Sequence, residues 1–540
     1  MNVHHIYKLC IVIALAALGT NFGLDKAIYA QPVSADAEAG VQVLTRGPVH
    51  EAFAETVTYD PEPGIVAPKA PPAAIEEVPP EQKPSGDNVA WIPGYWGWDD
   101  ERSNFLWVSG IWRALPPGRQ WVPGYWGKFA QGFQWTSGYW ADAKLSEVQY
   151  LPEPPATVEA GPNIAAPSAD DIWQPGCWVW QNSRYAWRPG FWATAQPDWV
   201  WVPPHYVWSP RGYVFVDGYN DYAIARRGVL FAPVYFDADV YGRRGFSYSP
   251  ATVIDLAALT SHLFVRPQYQ HYYFGDYYAA NYQDAGFYSS YSYNSSRFGY
   301  DPIYAHTRWQ HRQDGEWEHR VAADFQNRRD HEDARPPRTW AAQRALGASG
   351  VSSGFVAAPL TQLTKSQGTP LRFQPVDQLE RQKLAQHAQE LQRFRDERQN
   401  LEINAAGAPS ETRTKQFEPA RVKLPGSPIV GRSADQLGKD QAPPKIYNAP
   451  KPDLKVEPKP RVHLSAGQPQ ERKVQLGTPQ VNRTPLDQPQ PQPKVQRSAP
   501  PTQVNQPATQ THVNPAADKQ SGGQNKDKSN DKEKDKGKDK

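Results

Sequence analysis

The most chemically suggestive side chains of this sequence are tyrosines in the middle third of the chain. Tyr272, Tyr273, Tyr277 and Tyr278 fall in a stretch from Tyr269 to Tyr293 that has no regular period. Aromatic rings that stay at a surface can stack on the flat faces of sugars. These four tyrosines are therefore candidate contacts for a carbohydrate or peptidoglycan ligand.

Other residues that could carry chemistry give weaker signals. Four histidines are spaced more widely than typical metal ligands, and three aspartates have no motif that fixes their geometry. The sequence has no nucleophile elbow, phosphate loop, dinucleotide fingerprint or His-Glu-x-x-His motif. We therefore predict a protein without catalytic residues, cofactor or metal. The residues concerned are His306, His311, His319, His331, Asp237, Asp239 and Asp255.

A tryptophan repeat supplies the elements that must position any such site. Trp91-Ile-Pro-Gly-Tyr-Trp96 has seven further copies, in two blocks with steps of 14 or 16 residues. Gly holds the fourth position in seven of the eight copies, and Pro204 is the exception. Short segments at this spacing, separated by turn residues, predict antiparallel β structure. The repeat residues assigned structural roles are Trp91, Gly94, Trp96, Trp107, Gly110, Trp112, Trp121, Gly124, Trp126, Trp135, Gly138, Trp140, Trp173, Gly176, Trp178, Trp187, Gly190 and Trp192.

The repeat glycine is expected to determine which face of the strand each tryptophan ring occupies. The two tryptophans of a copy are five residues apart, and such residues point to opposite faces of a regular strand. A Gly with positive φ would create a one-residue bulge and bring both rings to one face. We predict a mainly β fold: an antiparallel meander of ~14-residue Trp-rich repeats, with one or two helices and long disordered tails.

The strings Tyr95-Trp96-Gly97-Trp98 and Tyr125-Trp126-Gly127 resemble the exported bacterial YXWGXW (WXXGXW) repeat family. The resemblance covers roughly residues 88–220. It implies an exported protein of the cell envelope, and it brings no catalytic residues with it.

The start of the chain is typical of an export signal. Lys8 precedes an apolar run from Leu9 to Leu18, which is too short for a bilayer core that needs about 20 residues. A cut between Ala30 and Gln31 would leave Cys177 as the only cysteine, so an intramolecular disulfide is not expected. The alternative is an uncleaved anchor. After cleavage, no integral membrane span is predicted.

Composition divides the chain into segments, because all 20 tryptophans precede residue 341 while the last part is rich in Pro, Gln and Lys. The predicted segments are 1–30, a signal peptide; 31–88, an extended Pro-rich leader; 89–225, the β-repeat domain; 226–346, a Tyr-rich extension with short helices; 347–374, a linker; 375–403, an amphipathic helix; and 404–540, a disordered tail.

These observations together predict a non-enzymatic, exported structural or interaction protein, periplasmic, envelope-bound or secreted. Its expected partners are envelope proteins or cell-wall glycans. A formal net charge of +2 argues against nucleic acid, and no oligomeric state is predicted. The alternative function is a carbohydrate- or peptidoglycan-binding module that uses exposed Tyr and Trp rings.

Overall fold

The computed structural model describes residues 33–34, 39–294, 297–350, 354–406, 419–438, 443–444 and 450–460. All of them lie in the first of two compact units, residues 1–463. The predicted signal peptide and the second unit, residues 464–540, lie outside the described residues.

The eight repeat copies pair two by two into four antiparallel hairpins. Each copy forms one strand before its central dipeptide and one after it, so each hairpin has four strands. The first hairpin comprises Val89–Ile92, Tyr95–Asp99, Asn104–Val108 and Ile111–Ala114; the second Arg119–Val122, Tyr125–Phe129, Gly132–Thr136 and Tyr139–Asp142; the third Asp171–Gln174, Cys177–Gln181, Arg184–Arg188 and Phe191–Thr194; and the fourth Trp199–Val202, His205–Ser209, Gly212–Val216 and Tyr219–Tyr222.

The predicted glycine bulge is wrong. In the first hairpin Trp91 lies opposite Trp112, and Trp96 lies opposite Trp107. The register is therefore the same on both sides of the interruption, with no extra residue on either strand. None of the motif glycines has a positive φ. The ladder of backbone hydrogen bonds is interrupted at the same place on both strands, and strand pairing resumes beyond the gap.

The motif glycines provide room for an indole instead. A Cβ on Gly110 would lie 2.6 Å from Cζ2 of Trp91, and one on Gly190 would lie 2.4 Å from Cζ2 of Trp173. Any side chain there would collide with the first ring of the paired copy. The copy that carries Pro204 is paired with one that begins at Phe215, whose ring is smaller than an indole.

Opposed tryptophans form edge-to-face or tilted ring pairs across each of the first three hairpins, with centroids 5.1 to 5.4 Å apart. In the first hairpin, Trp96 and Trp107 belong to the main core, while Trp91 and Trp112 pack with Val229 in a second cluster. In this hairpin the two rings of one copy therefore do not share one packed face, as the alternation along an unbulged strand requires.

The hairpins do not form one continuous meander, although their strands are antiparallel as predicted. Strands from the leader and the extension lie at their edges. Val234–Phe236, for example, pairs with both Asn104–Val108 and Val41–Val43. Gln82–Pro84 pairs with Phe373–Pro375 in a separate two-stranded sheet. The segment 31–88, predicted as an extended Pro-rich leader, is thus part of the sheets. Its strands are Val33–Ser34, Val41–Val43, Gly47–Pro48, Val57–Thr58, Val66–Ala67, Glu76–Glu77 and Gln82–Pro84.

The remaining strands connect the repeats to the extension and the tail. Glu147–Leu151 pairs with Ala420–Lys423, which lies inside the segment predicted to be disordered; most of that segment is outside the described residues. The other strands are Gly228–Val229, Val234–Phe236, Ser247–Ser249, Thr252–Ile254, Leu263–Arg266, His271–Phe274, Tyr288–Ser289, Gly299–Tyr300, Ala357–Pro359 and Phe373–Pro375.

The described residues contain more helices than the one or two predicted. The predicted helix at 375–403 is present as Gln378–Ala406, called here the long helix. None of the described helices is both long enough and apolar enough to cross a membrane. The helices are Ala238–Tyr241, Leu256–Ser261, Ala280–Asp284, Ser290–Asn294, Pro302–Gln310, Trp317–Asp330, Trp340–Ala348, Leu360–Leu363 and Gln378–Ala406.

Candidate functional site: the clamps of the tryptophan hairpins and an adjacent cleft

The interruption in each hairpin leaves backbone groups without ladder partners. In the first hairpin it falls at Pro93-Gly94 on one strand and at Ser109-Gly110 on the other. Buried N–H and C=O groups must find partners elsewhere. The centre of a hairpin therefore offers glycine N–H donors and, from the residue before each glycine, a carbonyl acceptor.

A glutamate from the leader fills the donor side of the first hairpin. The carboxylate of Glu77 accepts hydrogen bonds from Gly94 N at 2.7 Å, from Gly110 N at 2.9 Å and from the indole Nε1 of Trp107 at 3.1 Å. Glu77 is 3% exposed. Burial raises its pKa to about 7, although the three donors act in the opposite direction.

The second and third hairpins each hold a glutamate in the same way. Glu51 accepts from the indole Nε1 of Trp135 at 2.8 Å and from Gly138 N at 3.1 Å. Glu159 accepts from the indole Nε1 of Trp173 at 3.2 Å and from Gly176 N.

The fourth hairpin uses a residue of its own. Asp217 stands immediately before Gly218 and accepts from its backbone N–H at 2.9 Å.

A second donor in each of these three hairpins forms a hydrogen bond with the backbone of the segment that carries the glutamate. The tryptophan two residues after the glycine donates its indole N–H to an alanine carbonyl on the segment that carries the glutamate. The distances are 2.9 Å for Trp96 to Ala73, 3.2 Å for Trp140 to Ala52 and 3.0 Å for Trp178 to Ala156. We call this pair of donors, the glycine N–H and the indole N–H of Gly-x-Trp, the Gly-x-Trp clamp.

The carbonyl side of the second hairpin is filled by a cation. Arg398 of the long helix is fully buried and donates to the carbonyls of Pro123 at 2.8 Å and Ser137 at 3.0 Å. Its charge is balanced by Glu402 at 3.0 Å, which also accepts from the hydroxyl of Tyr125 at 2.7 Å. The long helix is thereby fixed to the centre of this hairpin.

Histidine has the corresponding role in the first hairpin. His50 Nδ1 accepts from Ala52 N at 3.1 Å, so the ring proton is on Nε2, which donates to the Pro93 carbonyl at 3.1 Å. Burial lowers the pKa of His50 to about 3, which keeps this ring neutral.

The four tyrosines predicted as ligand contacts are buried, so the expected exposed platform is not present in this structure. Tyr272 donates its hydroxyl to Asp301 at 2.8 Å, and Tyr278 contacts His262 Nδ1 at 2.7 Å. Tyr277 stacks on Phe287 with ring centroids 4.6 Å apart. The strand pair Leu263–Arg266 and His271–Phe274 is covered on both sides, so its tyrosines are core residues.

The other chemically suggestive residues have separate local roles. Asp255 accepts from Ala258 N at 2.8 Å and caps the helix Leu256–Ser261. His306 Nε2 contacts the carbonyl of Gln196 at 2.8 Å. No group of potential metal-ligating side chains occurs within the part of the chain that the structure describes.

A cleft of about 680 Å³ opens beside the third hairpin. Its lining includes the half-buried rings of Trp173 and Trp192 together with Trp309 and Trp317. The indole N–H of Trp309 is buried and has no hydrogen-bond partner among the described residues. The lining also contains charged residues of both signs: Glu159, Asp171, Arg297, Arg308, Arg312, Asp314 and Glu318.

Sequence reasoning missed the glutamates that occupy the clamps. Two of the three lie in similar strings, Pro71-Pro72-Ala73-Ala74-Ile75-Glu76-Glu77 and Pro154-Pro155-Ala156-Thr157-Val158-Glu159. This recurrence in two Pro-rich segments was the available signal. It is easily overlooked, because such segments resemble linkers.

The geometry defines a class of protein: a β scaffold built from paired Trp and Gly motifs, whose hairpins hold acidic segments of the same chain. Comparison with known families agrees. The family model described as WXXGXW repeat (2 copies) matches residues 86–113, 172–193 and 197–219. The resemblance is therefore confirmed, and the chain contains repeats of the WXXGXW family. The second hairpin lies outside these matches but has the same pairing and the same clamp. No curated protein and no solved structure matches the chain.

Proposed function

We propose that this protein is a non-enzymatic, exported component of the cell envelope that acts as an interaction scaffold. The observation that carries the proposal is the recurrent clamp: three hairpins use the same two donors to bind an alanine carbonyl and a nearby glutamate. A motif that recognises extended acidic segments is suited to holding polypeptides together. The signal-like start and the match to the repeat family support an envelope location.

Cell fractionation tests the location. We expect the chain in the envelope, periplasmic or secreted fraction, with a mature N-terminus at Gln31. A variant that lacks residues 1–30 is the matched control and should stay in the cytosol. Full-length chain in the cytosolic fraction alone would contradict the proposal. Affinity capture of the mature chain from the envelope fraction, followed by identification of co-purifying proteins, then addresses its partners.

The cleft supports a second candidate function, the binding of a cell-wall glycan. It has the size of a small-molecule site, and it combines indole rings with charged side chains that can hydrogen-bond to hydroxyl groups. The tryptophan rings of the cleft replace the buried tyrosines as the candidate stacking surface.

Co-sedimentation with purified peptidoglycan and glycan-array binding test this candidate. Trp192→Ala and Trp317→Ala should each lower retention, because both rings line the cleft. Trp208→Ala is the control, since this half-buried ring lies outside the cleft lining. Equal retention of all three variants would exclude the cleft as a glycan site.

A further inference from the structure

The third hairpin differs from the first two in how deeply its bound glutamate is buried. Glu51 is 4% exposed and Glu77 is 3% exposed. Glu159, by contrast, is followed by exposed residues at 160 and 162–170. The same clamp therefore holds a half-buried glutamate in the third hairpin, and the chain passes from the clamp directly into exposed residues.

The segments held by the first and third hairpins share a sequence and a binding mode. Both contain the string Pro-Pro-Ala-x-(Ile/Val)-Glu, at residues 71–76 and 154–159. The bound glutamate is the last residue of this string in the third hairpin, Glu159, and the residue after it in the first, Glu77. The glutamates meet the glycines of equivalent motif copies, and the alanines meet the tryptophans two residues later. The β-branched side chain between alanine and glutamate packs against a core cluster in both cases. Within one chain, the same chemistry is thus recognised twice.

We propose that the third hairpin is a receptor for a Pro-Pro-Ala-x-(Ile/Val)-Glu segment of another polypeptide, and that residues 154–159 are its built-in ligand. This inference rests on the proposed scaffold function and names the class of partner. The proline residues favour an extended conformation before binding, which lowers the conformational entropy lost on docking.

Exchange between the built-in segment and an incoming one replaces each contact by the same contact. The outcome is then set mainly by effective concentration, which favours the tethered segment. A free peptide should therefore bind weakly to the unmodified chain, and binding should strengthen when the clamp contacts of the built-in segment are weakened.

The test uses the mature chain and a fluorescent peptide that covers residues 152–162, followed by anisotropy. Glu159→Gln in the protein removes the built-in carboxylate, and we expect peptide affinity to rise by about tenfold or more, because the tethered segment then loses its charged hydrogen bonds to the clamp. A peptide with Gln at the position of Glu159 should lose this gain. Adding Trp178→Phe to the Glu159→Gln chain should also abolish it, since the indole donor to the alanine carbonyl is then missing.

Circular dichroism in the near ultraviolet checks that each variant is folded. If Glu159→Gln is not, Glu159→Asp serves instead, because it retains the charge but shortens the reach to Gly176. Affinity that does not rise in a folded variant, or that is equal for the Glu and Gln peptides, overturns the inference. Because the binding assay uses purified protein, its failure is distinct from failure of the proposed function, which cell fractionation and capture measure.

Discussion

The first two hairpins and the third are built from the same motif but are enclosed to different extents. The outer ring pairs of the first two, Trp91 with Trp112 and Trp121 with Trp140, are buried. The equivalent pair in the third hairpin is half-buried and faces a cleft. The motif therefore fixes the local hairpin and its clamp, while the neighbouring segments decide whether its rings serve as core or as accessible surface.

Removal of the equivalent indole from two hairpins gives the largest expected contrast. Trp112→Ala should lower the free energy of unfolding by about 3–5 kcal/mol, because it empties a buried site. Trp192→Ala should lower it by about 1 kcal/mol, since that ring is half-exposed. Urea denaturation of both variants measures the difference. Equal losses would show that the two hairpins do not differ in enclosure.

Loss of the buried arginine tests what holds the second hairpin closed. Arg398→Ala should lower the free energy of unfolding by about 3–5 kcal/mol, because Glu402 is left buried without its cation. Lys383→Ala, at an exposed position on the same helix, is the control and should change it by less than about 0.5 kcal/mol. If urea denaturation shows that Arg398→Ala leaves the free energy of unfolding almost unchanged, the long helix does not hold this hairpin closed.

Methyl groups added at motif glycines should have intermediate effects. Gly110→Ala should lower the free energy of unfolding by about 1–3 kcal/mol, because its Cβ would overlap Trp91 and the backbone carbonyl of Ile92. Gly190→Ala should have a smaller effect, since the half-exposed Trp173 ring has more room to move. Thermal unfolding compares them, with Gly315→Ala as the control in open space. An effect of Gly110→Ala as small as that of the control would refute the account in which this glycine makes room for the Trp91 ring.

The smallest expected effect is a pH dependence that belongs to the first hairpin. The folded-state pKa of Glu77 is raised to about 7, above its ordinary 4.5, so the folded chain takes up a proton as pH falls from 7 towards 4.5 while the unfolded chain does not. The stability contributed by this group is therefore present at low pH and is lost as pH rises through 7. The stability gap between the native chain and Glu77→Gln should widen on going from pH 8 to pH 5.5. Urea denaturation at both values measures it, with Glu76→Gln, an exposed neighbour, as the control. A gap that is constant with pH would refute this account of Glu77.

Periodicity alone was enough to predict the antiparallel strands, because each copy carries its own strand and turn signals. The role of the glycines was not predictable from one copy, since Gly110 makes room for a ring that belongs to another copy. The tyrosine prediction failed for a related reason. Tyr272 and Tyr273 lack a regular period, but their strand pairs with Gly47–Pro48, which is distant in sequence, and both rings are buried.

Only part of the candidate site could be predicted from the sequence. The Trp and Gly donors were identified as structural residues, but their acceptors were not, because Glu51 and Glu77 are contributed by a leader whose composition is typical of a linker. Hydrogen bonds between a leader segment and a repeat that is distant in sequence produce no periodic pattern in the sequence.

The way the leader is threaded has a consequence for how the chain matures. Gln82–Pro84 pairs with Phe373–Pro375, and Thr45 N donates to the carbonyl of Arg338. The sheets that contain the leader strands therefore cannot be completed until almost 300 further residues have been synthesised. Such a molecule stays incompletely folded until residues 373–375 have been synthesised, so the completion of its sheets is a late event.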